Sequence, residues 1–239
     1  MNIKNSKFWI WYIPFLIIIC IVIWSMLVFI KNKNETNSDA YKFKSEYAEL
    51  NNKNNETTGK TYPIVDLNDK NPFVYASEDD IKSLFDGGTG VIYFGFPTCP
   101  WCRNVVPVLN EAIGNTSIEH VYYYNIKTIR STISFNDNNE LVNTKGNDFY
   151  YYLLDKLDSY LTEYVIKDNK NKDYDTKEKR LYAPTVVFIK EGKIIGVHEG
   201  TVDSQEDPYI VLNDTQKNEL MTIYQDYLTK VTESCDEKC

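Results

Sequence analysis

Residues 91–112 read VIYFGFPTCPWCRNVVPVLNEA, an apolar run that passes through Pro97 to a pair of cysteines three residues apart, with Pro100 between them and Pro107 beyond. Val91 to Phe96 has the near-continuous apolar character of a strand buried on both faces. The helix that follows begins at the cysteines. Cys99 falls at its N-cap and Pro100 at the first helical position, where a missing N–H costs nothing. Unpaired N–H groups and the positive end of the helix dipole then lie beside the Cys99 sulfur and favour its thiolate. A thiolate is the attacking species in disulfide exchange. Cys102, one turn on, shares the helix face and can attack a mixed disulfide at Cys99 to release the substrate. The spacing reads as one reversible redox switch.

Outward from this stretch the chain alternates strands and helices. Phe73 to Tyr75 reads as a short strand. Ser77 opens a helix with Asp80 as its capping-box partner, and the DGGTG run closes it. His120 to Ile126 is the next strand. Asp148 to about Ile166 has helical spacing in Phe149, Leu153, Leu154, Leu157 and Leu161, and a lysine-rich loop is expected from Lys167 to Arg180. Thr185 to Lys190 and Lys193 to His198 form a hairpin across Glu191-Gly192. Thr215 to Val231 is a final amphipathic helix.

With these elements in place the chain resembles the thioredoxin superfamily. CPWC stands between a buried strand and a helix, and Pro107 follows the second cysteine by five residues, where thioredoxins carry a helix-kinking proline. YAPTVVFIKEGKIIGVHEG, residues 182–200, is similar to the family's cis-proline segment and terminal hairpin. The resemblance implies an α/β thioredoxin-like fold, a central mixed sheet flanked by helices, over residues 61–233. Residues 128–180 are expected to be a helical insertion. It further implies that Cys99 attacks, Cys102 resolves, Pro184 is a cis-proline facing the cysteines, and Ala183 pairs with the substrate backbone. Trp101 is expected to give an apolar contact beside the thiols. One position departs from the pattern: six residues before the first cysteine, where thioredoxins bury an acid, stands Tyr93, neutral at physiological pH.

The ends of the chain differ from its middle. Residues 8–30, FWIWYIPFLIIICIVIWSMLVFI, carry no charge and, at about 23 residues, are long enough to cross a bilayer core as a helix. Interfacial aromatics at Trp9, Trp11 and Tyr12 fit a span, and no small-residue cleavage site follows. Residues 1–7 are a short flank and 31–60 a polar tether with one marginal helical piece, YKFKSEYAEL. The flanking lysines are nearly balanced across the span, so the expected extracytoplasmic location of the domain rests on its chemistry: disulfides persist outside the cytosol.

The remaining features bound the function classes. The 239 residues carry a net charge of −8, with no basic stripe to neutralise phosphates, which excludes nucleic acid. The expected partners are protein or peptide thiols and disulfides, the membrane through residues 8–30, and a membrane redox partner. No cofactor and no metal are expected. A four-thiolate zinc site using Cys99, Cys102, Cys235 and Cys239 of tail 234–239 suits the spacing, but Pro-Trp between the first pair at a helix start fits redox chemistry better. Cys235 and Cys239 also fit a local disulfide or an electron relay. Arg103 is read either as a thiolate-holding cation or as a solvated first-turn residue, and His120 and His198 as strand residues apart from the motif. The resemblance extends to accessory proteins of bacteriocin export, so a binding protein for a secreted peptide stands as the alternative to an enzyme.

Overall fold

The computed structural model describes residues 15–26 and 38–233. Residues 15–26 are helical with exposed side chains, and among the described residues no helix is long and apolar enough to cross a membrane. The expected span at residues 8–30 is therefore not supported by what is described; its ends at 8–14 and 27–30 lie outside the described residues, as do 31–37 and the tail 234–239.

From residue 38 the elements run α1 (Asp39–Ala48), β1 (Phe73–Tyr75), α2 (Glu78–Phe85), β2 (Gly90–Gly95), α3 (Pro100–Gly114), β3 (Val121–Asn125), β4 (Thr132–Phe135), β5 (Leu141–Thr144), α4 (Asp148–Leu157), a 3₁₀ turn at Asp158–Tyr160, β6 (Thr162–Lys167), β7 (Asp173–Arg180), β8 (Thr185–Lys190), β9 (Lys193–Glu199) and α5 (Asp214–Thr232). The central sheet has the order β1-β3-β2-β8-β9. β1 and β2 pair parallel with β3, while β8 pairs antiparallel with β2 and β9 with β8. This is a mixed sheet flanked by helices.

Strand β2 lies at the centre because every one of its residues is buried, which requires cover on both faces. Tyr93 stands level with Tyr123 of β3 and Val186 of β8. On that face lie α1, α3 and α5: Phe43 of α1 stacks on Phe73 at 4.1 Å and meets Tyr123 edge-on at 4.8 Å, and Phe188 packs on Tyr227 of α5 at 5.0 Å. On the opposite face Tyr124 meets Phe149 of α4, and Phe85 of α2 meets Tyr152 of α4. Local signals hold the elements in register. Ser77 and Asp80 form the expected capping box of α2. Glu191 and Gly192 adopt φ of 50° and 75°, the left-handed pair that a two-residue hairpin turn requires. A Cβ at Gly192 would sit 2.7 Å from the Gly87 nitrogen.

Two expectations are corrected. The first is the tether. From Ser38 onward the segment expected as tether at 31–60 belongs to the fold. Ser38 caps α1 by accepting the Tyr41 N–H, and Phe43 and Tyr47, one turn apart, are fully buried. The second is the insertion at 128–180, which is not helical throughout. One helix, α4, stands between two antiparallel hairpins, β4–β5 and β6–β7. Both hairpins turn through the same three-residue loop. Asn136 and Asp168 open them by accepting the N–H groups of Asn139 and Asn171, which lie at φ of 59° and 61°. Asparagine adopts this left-handed geometry at little cost. The Tyr164 hydroxyl donates to the Ile133 carbonyl at 3.1 Å and ties one hairpin to the other.

Candidate active site

The site forms where β2 gives way to α3. Cys99 has extended backbone (φ −89°, ψ 116°) and caps the helix with its own sulfur, which accepts the Cys102 N–H at 3.3 Å. Pro100 occupies the first turn, and Pro107 lies inside the helix. The Cys99 N–H donates to the Phe96 carbonyl at 3.1 Å, which fixes the entry of the chain. Both cysteines are free thiols; Cys99 is 6% exposed and Cys102 wholly buried.

Across from the helix end lies the segment before β8. The Ala183–Pro184 bond is cis, and the Cys99 thiol donates to the Ala183 carbonyl at 3.3 Å. The structure thus brings Cys99, Cys102, Ala183 and Pro184 together. Trp101 is half-buried and lines a cleft of about 340 Å³ with Tyr182, Ala183, Glu199, Val202 and Asp203. All five residues expected from the sequence meet in one place.

The two thiols are electrostatically unequal. Burial pushes the Cys99 thiol up, but hydrogen bonds from the Cys102 thiol and from the amides of Cys102 and Trp101, with the Arg130 charge, hold it below the ordinary thiol range overall. Burial pushes Cys102 well above that range, and the neighbouring Cys99 sulfur adds to the rise; the Tyr93 hydroxyl and the Phe96 amide oppose it. A low thiol against the Ala183 carbonyl and a high, wholly buried thiol one turn on suit attack by the first and delayed resolution by the second.

Behind Cys102, at the position where the resemblance would have put an acid, the Tyr93 hydroxyl pairs with the Tyr47 hydroxyl at 2.8 Å, fully buried. Burial drives both phenols well above their usual values, so both are neutral. The Tyr93 ring folds back over Gly95, two residues along the same strand face; a Cβ there would meet the Tyr93 oxygen at 2.2 Å. Tyr47 comes from α1, which makes the N-terminal segment part of the site's inner wall.

Arg103 fits neither reading made of it. It is 1% exposed, and its guanidinium donates to the carbonyls of Pro63 at 2.7 Å and Tyr47 at 2.9 Å and to Asn51 Oδ1 at 2.5 Å. The rings of Tyr47 and Tyr62 flank it at 5.9 and 5.5 Å. Asn51 in turn exchanges two hydrogen bonds with the Val65 backbone. Arg103 is a buried clamp that fastens residues 47–65 to the active-site helix. Asn104 does the same for the other flank, donating to the Pro208 carbonyl and accepting the Leu212 N–H.

His198 bonds the Thr201 carbonyl through Nε2 at 2.7 Å and meets Tyr224 edge-on, and His120 is exposed just before β3. Neither lines the cleft. Cys235 and Cys239 lie outside the described residues. The sequence reading missed Tyr47 and Arg130 as neighbours of the thiols. Tyr47 carried a signal in the i, i+4 pair Phe43–Tyr47, an apolar stripe too strong for a solvated linker.

No protein-family model matches the chain, and no curated protein matches it in sequence. The functional reading therefore stands on the residues and their geometry.

Proposed function

We propose that the protein is a thiol–disulfide oxidoreductase with a thioredoxin-like domain, tethered to the membrane by residues 8–30 and acting on extracytoplasmic proteins. The observation that carries the reading is the Cys99 sulfur. It sits at a helix N-cap, accepts the Cys102 amide and donates to the carbonyl of Ala183, which lines an open cleft with Trp101. An extended substrate strand lying in that cleft pairs with Ala183 as an added edge strand.

In the reducing direction the Cys99 thiolate attacks one sulfur of a substrate disulfide. A Cys99–substrate bond forms, and the electron pair of the broken bond leaves on the other substrate sulfur, which takes up a proton. Cys102 attacks the Cys99 sulfur, its proton passing to the departing substrate sulfur, which leaves as the second substrate thiol while the Cys99–Cys102 disulfide closes. Two electrons pass to the substrate, and the reverse sequence forms a substrate disulfide. The Tyr93 hydroxyl, backed by Tyr47, donates to the Cys102 thiolate as it forms and does the work of the absent acid by hydrogen bonding rather than by accepting a proton.

Insulin reduction and the refolding of a reduced, scrambled protein test the activity. Both should be lost in Cys99→Ser; activity equal to wild type in that variant would end the enzyme reading. Protease added to wall-stripped cells should digest the domain while residues 8–30 stay with the membrane. Protection until lysis would reverse the orientation.

A further inference from the structure

The protein is acidic overall, yet cations gather on one side of Cys99. Arg130 lies over the ring of Phe96 at 5.0 Å, and the Phe96 carbonyl holds the Cys99 amide. Lys127 lies over the same ring at 5.8 Å and donates to Thr98 Oγ1 at 3.0 Å. Arg180 is 6% exposed, donates to the Ser131 carbonyl at 3.1 Å, and stacks on Tyr164 at 4.0 Å with Tyr182 at 5.7 Å. Tyr182 immediately precedes Ala183. The three cations therefore stand between the strand-to-helix loop and the segment that faces Cys99.

Their partners are aromatic rings, a hydroxyl and a carbonyl. Among the described residues no carboxylate comes within ion-pairing distance of any of the three. The Arg130 guanidinium makes no hydrogen bond within the described residues, leaving five donors unused. Arg130 and Arg180 repel one another, and the Cys99 sulfur is the foremost of the groups that offset this at Arg130, ahead of the Tyr150 and Tyr164 hydroxyls. The acidic residues Glu199 and Asp203 line the cleft with Trp101, Tyr182 and Ala183, and neither is within ion-pairing distance of the three cations.

We propose that Arg130 and Arg180, with Lys127, form an anion subsite beside Cys99 that receives the carboxylate of an aspartate or glutamate adjoining the substrate's cysteine. The inference rests on the oxidoreductase reading above and adds the class of substrate. It follows from charge accounting through the exchange. While Cys99 is a thiolate, its charge partly balances the guanidiniums. Once the mixed disulfide forms, that sulfur is neutral and the two guanidiniums face each other without an anion. A carboxylate on the substrate restores the balance at that step, with Arg130 presenting a free planar fork suited to two parallel hydrogen bonds.

The test uses the full chain, reduced, in detergent micelles. The probes are hexapeptides with one cysteine capped as a 2-pyridyl disulfide, flanked by Asp, Asn or Lys. Attack by Cys99 forms the Cys99–peptide disulfide and releases neutral pyridine-2-thione, read by absorbance. The Cys99-dependent rate, wild type minus Cys99→Ser, should follow the order Asp, Asn, Lys. Asp should exceed Asn by about tenfold at low salt, the size expected of one charge-assisted bond partly screened by water. The ratio should shrink as salt is raised and fall towards one in Arg130→Gln. Lys127→Gln, at an exposed position, should lower it less and guards against an Arg130 variant that does not fold. Equal Asp and Asn rates, or a preference that survives R130Q and K127Q together, would remove the subsite alone. A rate unchanged in Cys99→Ser would remove the oxidoreductase reading and the subsite with it.

Discussion

Cys99 and Cys102 are separated by one helical turn but differ in what surrounds each sulfur. Because Cys99 is held below the ordinary thiol range, its thiolate persists as pH falls and is lost only through that lowered value. Iodoacetamide should therefore label Cys99 first near neutral pH, with a rate profile shifted to lower pH than a free thiol. Cys102, raised by burial, should react only in more alkaline solution or after unfolding. Mass mapping of the labelled peptides checks both; earlier labelling of Cys102 would reverse the roles. Tyr93→Phe removes the hydroxyl that favours the Cys102 thiolate, so Cys102 should move further up and the resolving step should slow. A trapped Cys99–substrate disulfide should then persist longer than in wild type. The same change leaves the buried Tyr47 hydroxyl without its partner, at a cost of about 1–3 kcal/mol in a urea unfolding experiment.

Helix α1 and the segment after it carry the largest difference between sequence and structure. The capping box of α2, the Glu191-Gly192 hairpin, the CPWC helix start and α5 were legible because each signal lies within a few residues of the element it marks. The packing of α1 was not. Its polar flanks, rich in Asn and Lys, read as linker, and only contact with Phe73, Tyr93 and Tyr123 turns two aromatics into core. Strand β7, DYDTKEKR, hides for a related reason: with few apolar residues and an exposed surface, its pairing is set by the Asp168–Asn171 turn rather than by burial. At the site, the cysteines and the segment at Ala183 were legible as local motifs. The oxygens that hold Arg103 come from residues 47–63, and no local pattern announces them. Removing residues 1–60 should destabilise the protein by about 3–6 kcal/mol more than removing 1–37, from Phe43 and Tyr47 alone, as compared by urea melts. Arg103→Leu leaves the Pro63 carbonyl without a donor and takes one donor each from the Tyr47 carbonyl and Asn51 Oδ1, and should cost about 3 kcal/mol. Arg103→Lys should recover only part of it, one ammonium being unable to span the fork.

Over the whole molecule, the sheet gathers distant pieces of chain at one end: the strand-to-helix loop, the loop after β3, the last residues of β7 and the segment before β8. The net charge of −8 gives no hint that cations collect there, since composition averages over faces. The anchoring of α1 has a consequence for reach. With the described fold beginning at Ser38, the span proposed at residues 8–30 would leave seven residues, 31–37, between them, and fully extended these cover at most about 25 Å. A domain on so short a leash is confined to a thin layer over the bilayer, and its thiols sample that layer at high effective concentration. In proteoliposomes, exchange with a disulfide peptide coupled to lipid headgroups should outpace exchange with the same peptide free in solution at equal bulk concentration. Lengthening 31–37 with a long Gly/Ser insert should erode that advantage, because a longer leash dilutes the thiol. On the proposed tether and chemistry the protein would work as a surface-bound reagent, meeting polypeptides as they emerge from or return to the membrane.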